Sequence, residues 1–204
     1  MRAHLLGLAA LAATALAAPA LAHITTYTTT LSGAAEAPPN SSLGTGTATL
    51  IIDDHNFTMQ LITSFSGLTG NVTAAHIHCC TALAGAGTAG VATVTPSFTG
   101  FPLGATFGSY DHTYDMTAAS GSWNNAFINA NGGTPGSAFS ALLAGLDSGK
   151  AYLNIHTSFV PGGEIRGFLQ LSPVPEPASV ALMLGGLALV GAASRRRAAR
   201  ASAG

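Results

Sequence analysis

The chain has 204 residues, of which 48% are hydrophobic and 7% charged, with a formal net charge of −1. Ordinary domains carry roughly 25% charged residues, so the composition excludes a basic nucleic-acid binder, a charge-laced coiled coil and a charge-rich disordered tail. The charge is also segregated. Arg2, Arg195, Arg196, Arg197 and Arg200 sit at the ends, which leaves Lys150 and Arg166 against Glu36, Asp53, Asp54, Asp111, Asp115, Asp147 and Glu164 in an acidic middle.

Residues 1–22 read as a secretory signal peptide: one arginine, an Ala/Leu run, then Ala20-Leu21-Ala22 with small residues at −3 and −1. Cleavage is expected after Ala22, so the body spans 23–173. That body is rich in Thr, Val, Ile, Phe and Tyr, with short apolar runs punctuated by Gly and Pro. Such a pattern predicts an antiparallel, Greek-key-like β-sandwich or barrel. Strands are expected at Thr25–Leu31, Thr45–Ile52, Phe57–Phe65, Thr73–His78, Gly90–Val94, Ala105–Met116, Ala151–His156 and Glu164–Leu171. Between the second and third, Asp53-Asp54-His55-Asn56 reads as a hairpin turn. Phe57, Met59, Leu61, Thr63 and Phe65 alternate with more polar neighbours, as one buried and one wetter face require. Residues 95–137 read as long loops. One short helix is expected at Ala138–Leu146, where Phe139, Leu142, Leu143 and Leu146 share a face.

Two of these strands carry the densest set of potential ligands. On Ala74-Ala75-His76-Ile77-His78, the two histidines point to the same face about 6.5–7 Å apart. Leu153-Asn154-Ile155-His156 offers a third, with Asn154 and Tyr152 on its face. If the strands are neighbours, His76, His78 and His156 converge on a site for copper or zinc; otherwise they are ordinary hydrogen-bonded sheet histidines. Cys79 and Cys80 are the only cysteines. They can pair with each other, add soft thiol ligands beside His78, or bridge to another chain. Glu164 and Arg166, in Pro161-Gly162-Gly163-Glu164-Ile165-Arg166-Gly167, are read as structural polar residues, the arginine tied to an acid or to carbonyls. The body shows no G-x-S-x-G elbow, P-loop or dinucleotide fingerprint, and no catalytic residue is assigned.

Several segments together resemble a known family. Leu31-Ser32-Gly33 with Glu36-Ala37-Pro38-Pro39, Gly44-Thr45-Gly46-Thr47-Ala48, Gly67-Leu68-Thr69-Gly70 before Ala75-His76-Ile77-His78, and Tyr152-Leu153-Asn154-Ile155-His156-Thr157 with Pro161–Gly167 look like a CHRD (chordin-type) domain from about Thr28 to Leu171. The resemblance implies an all-β extracellular module. A Gly-rich strand pair followed by Gly-Leu and H-x-H is also similar to the start of copper-zinc superoxide dismutases. The remaining histidines do not reproduce that enzyme's spacing.

Residues 174–204 form the last segment. Pro175-Glu176-Pro177 precedes an uncharged stretch, 178–194, and then Arg195-Arg196-Arg197 within a basic tail, 195–204. Seventeen residues of helix span roughly 25 Å, enough for a short membrane crossing. The terminal arginines mark the cytoplasmic side, so the body lies outside the inner membrane. These three parts in order resemble the PEP-CTERM sorting signal of Gram-negative bacteria. That resemblance implies export by the secretion machinery, recognition by an exosortase, removal of the tail and delivery to the cell surface or matrix. The expected function is a non-catalytic binding or structural component of the envelope or matrix, with an exopolysaccharide or other matrix component as partner. The alternative is a copper or zinc protein centred on the H-x-H.

Overall fold

The computed structural model describes residues 24–172, together with residues 185–187 and 190–191. The signal-peptide segment with Ala20 and Ala22 lies outside the described residues, as do Pro175, Glu176, Pro177 and the arginines 195–197. Among the described residues no helix is long and apolar enough to cross a membrane.

The chain forms β1 (Ile24–Ser32), a 3-10 turn (Gly33–Ala35), β2 (Thr45–Asp53), β3 (Thr58–Ser66), β4 (Val72–His78), β5 (Gly108–Asp115), α1 (Asn125–Ala130), α2 (Pro135–Asp147), β6 (Tyr152–Thr157), β7 (Ile165–Phe168) and β8 (Gln170–Leu171). All eight strands belong to one antiparallel sheet, in the order β4-β6-β7-β1-β2-β3-β5, with β8 also paired to β1. The chain therefore passes from β3, near one edge, to β4 at the opposite edge, and back to β5.

Strands β1 to β3 follow the two-residue period. Met59, Leu61, Thr63 and Phe65 are buried while Ile62 and Ser64 are exposed. Phe57 departs from the expected strand: it takes a positive φ in the turn and packs against Phe139. The turn itself is held by the Asp53 carboxylate, which accepts from the backbone N–H groups of His55 and Asn56. The core gathers Tyr27, Leu50, Ile52, Met59, Leu61, Ile77, Leu153 and Ile155 against Phe139, Leu142 and Leu146 of α2.

Two further expectations change. No strand forms at 90–94, where Val91 and Thr93 make only isolated bridges to His78 and Trp123. The segment 95–137 holds a second helix, α1, whose N-cap Asn124 accepts from the Ala126 N–H. Its sequence, NAFINA, has too few apolar positions to advertise a helical face.

Strands β4 and β6, like the short β7 between β6 and β1, differ from β1 to β3. Their even-numbered and odd-numbered residues are both largely buried. Past the register shift between Val72 and Ala74, the odd-numbered residues face the core. The even-numbered face, carrying the histidines, is covered by loops. Those loops decide the chemistry of that face.

Candidate metal centre

β4 and β6 are direct neighbours, with His76 opposite Asn154 and His78 opposite Tyr152. The two-residue period puts His76, His78, Asn154 and His156 on one face. One ring nitrogen from each of His76, His78 and His156 lies within 4.8 Å of the other two. The Nε2 atoms of His78 and His156 are 3.4 Å apart. Tetrahedral ligands at bonds of about 2.0–2.1 Å stand roughly 3.4 Å from each other, so this pair is already at ligand spacing.

The covering loops fix which nitrogen each ring offers. A carbonyl oxygen only accepts, so the ring nitrogen facing it carries the proton. His78 Nδ1 donates to Ala89 O at 2.9 Å, His156 Nδ1 to Pro161 O at 3.0 Å, and His76 Nε2 to Pro96 O at 2.7 Å. What remains is His78 Nε2, His156 Nε2 and His76 Nδ1, all three deprotonated lone pairs. His76 Nδ1 is buried without a hydrogen-bond partner. A buried acceptor left unpaired costs about 1–3 kcal/mol, and an ion shared with the other two rings would satisfy it. Metal-bound histidines characteristically tie their second nitrogen to a carbonyl or carboxylate in this way.

Burial keeps the rings neutral. It pushes His78 down to about 4, outweighing the Ala89 hydrogen bond, and the charge of Arg166 adds to the effect. Burial likewise lowers His76 and His156 against their hydrogen bonds to Pro96 and Pro161. Neutral imidazole is the form that ligates.

Behind the rings lies an aromatic and cationic stack. The Tyr152 ring is stacked on His78 with centroids 4.9 Å apart, and the Arg166 guanidinium sits 4.8 Å above Tyr152. Arg166 donates to Ala35 O and Gly87 O and stands 3.7 Å from Glu36. Glu36 Oε1 and Asn154 Oδ1 are the other buried side-chain atoms without a partner among the described residues. Burial pushes the Glu36 carboxyl up to about 7 despite Arg166 beside it.

Glu164 and Arg166 are not partners of each other. Glu164, fully buried, accepts from Ser42, Thr69, Gly70 and Thr157 and so ties three loops together. Cys79 and Cys80 form a disulfide with one another. Their sulfurs lie against Gly145 of α2, and a Cβ at that glycine would overlap both. The disulfide thus stands apart from the three-histidine cluster. The expectation missed the carbonyls of Ala89, Pro96 and Pro161 and the Glu36 carboxylate. Glu36 was visible only as part of the Glu36-Ala37-Pro38-Pro39 resemblance, and loop carbonyls leave no mark in a sequence.

Fold and site together define an all-β module with a buried three-histidine face, followed by a segment bearing a Pro-Glu-Pro motif and terminal arginines. The CHRD domain family model matches residues 27–169, and the chain belongs to that family. The PEP-CTERM protein-sorting motif matches residues 173–197, marking a protein that is exported, sorted through the membrane and processed by an exosortase before surface display. No curated protein and no solved structure matches the chain.

Proposed function

We propose that the CHRD domain is a surface-displayed, non-catalytic binding module, and that it holds one copper or zinc ion through His76 Nδ1, His78 Nε2 and His156 Nε2. The observation that carries this reading is the buried, unpartnered His76 Nδ1, beside two free nitrogens at ligand spacing. Imidazole suits both metals. Three protein nitrogens leave a tetrahedral ion one further position. A water molecule, or a polar group of an exopolysaccharide or other matrix component of a Gram-negative envelope, takes that position, which makes the ion a docking point.

Elemental analysis of the purified exported protein tests the reading. One copper or zinc per chain is expected, with His76→Ala and His156→Ala each abolishing it while the far-ultraviolet circular dichroism of the sheet persists. A folded wild-type chain that stays metal-free at micromolar free copper or zinc overturns it.

A further inference from the structure

We propose that Cys79–Cys80 is a thiol-exchange site which, once opened by an external dithiol, binds a soft metal ion such as copper(I). This second site is separate from the three histidines and does not depend on them.

A disulfide stabilises chiefly by closing a loop in the unfolded chain, and the gain grows with loop length. Adjacent cysteines close almost none, so this bond is no staple. Its position suits exchange instead. Cys80 is an exposed residue while Cys79 is 5% exposed, and an incoming thiolate needs a path to one of the two sulfurs. A cavity of about 440 Å³ opens against both cysteines, bounded by Gly90, Val91, Asn124, Phe127 and Asn131. None of these is charged, and the cavity has room for a small thiol or an ion. On the other side the sulfurs rest on Gly145, where the missing side chain leaves them their space. A thiol pair seated between a bare stretch of helix and an open cavity is a ready chelate for a soft ion.

The chemistry balances as follows. A thiolate of the external dithiol attacks Cys80 Sγ, the S–S bond breaks, and Cys79 leaves as a thiolate that takes up a proton. The dithiol's second thiol resolves the mixed disulfide, releasing Cys80 as a thiol and the reductant as its own disulfide. Two electrons and two protons pass to the protein. Copper(I) then binds both sulfurs and displaces their two protons.

The site also lies on the clasp that orients His78. The backbone N–H of Cys79 donates to Gly90 O, and the preceding carbonyl, Ala89 O, accepts from His78 Nδ1. The two sites therefore share a loop but not ligands.

The test uses the purified exported protein, with dithiothreitol as the dithiol. Maleimide labelling with mass spectrometry should find both cysteines free after treatment, with circular dichroism unchanged. Anaerobic copper(I) titration against bathocuproine should then give one more equivalent for the reduced chain than for the oxidised one. Alkylating the reduced thiols with iodoacetamide should remove that increment, as should Cys79→Ser with Cys80→Ser. In a His76→Ala/His156→Ala chain the increment should persist even though the histidine-dependent equivalent is gone. The proposal is overturned if the folded chain yields no thiols, if reduction adds no copper, or if the increment disappears with the histidines.

Discussion

A buried carboxylate is tolerable only where its oxygens are paired, and Glu164 accepts from two hydroxyls and two backbone N–H groups. Burial alone would raise it, but the bonds from Ser42, Thr157, Thr69 and Gly70 hold it below the usual carboxylate range. Its contribution is therefore present above the unfolded value and lost as pH falls through the folded one. Glu164→Gln replaces an acceptor by a donor facing donors, and should cost about 2–4 kcal/mol. Thermal unfolding of the two proteins should show that gap at pH 7 and see it close in acid. Glu36 runs the other way. Its carboxyl is raised to about 7, so its contribution is full below the unfolded value of about 4.5 and fades as pH rises through 7. Wild type should lose stability relative to Glu36→Gln across that window. Taking the difference between the two proteins removes the histidine contributions, which are common to both. A gap that stays constant from pH 4.5 to 7.5 would contradict the assignment. At this scale H-x-H and the third histidine were legible, because a period of two places them on one face. Their proton states were not, being set by carbonyls of distant loops.

Secondary structure followed the sequence where a face is continuous and failed where packing replaces it. Phe139, Leu142 and Leu146 mark α2 in the sequence, yet the helix begins at Pro135 because Thr134 and Ser137 form a reciprocal capping box. Thr134→Ala should cost about 1 kcal/mol. Position 145 is the sharper test of this helix. Glycine inside a helix is ordinarily worse than alanine by about 1 kcal/mol, so propensity predicts that Gly145→Ala stabilises. The disulfide seated against it predicts the opposite, because a methyl group there meets both sulfurs. Overpacking of that kind costs about 1–3 kcal/mol. Chemical denaturation of Gly145→Ala should therefore show a loss, and a gain would mean that the sulfurs do not rest on α2. The strand expected at 90–94 failed for a related reason. Its backbone N–H groups at Ala92 and Thr93 both turn to Ile77 O, so the segment clasps β4 instead of extending the sheet.

The eight-stranded order could not be read from local pattern, since the step from β3 to β4 crosses the whole sheet and no local signal names a distant partner. That order has a consequence for display. Ser32 pairs with Arg166, Arg166 with Asn154, and Asn154 with His76, so the histidines stand near the rung that carries the end of β1. Leu171 pairs with Tyr27, near the beginning of β1. The five residue steps from Tyr27 to Ser32 span roughly 16 Å. Leu171 and Ser172, the last residues of the described body, thus lie toward the end of the sheet away from the site. Processing should leave the centre untouched. Elemental analysis of the unprocessed chain, and of the same chain after removal of the segment beginning at the Pro-Glu-Pro motif, should give equal metal per protein. A metal content that falls on processing would show that the tail contributes a ligand, and would displace the three histidines as the complete protein set.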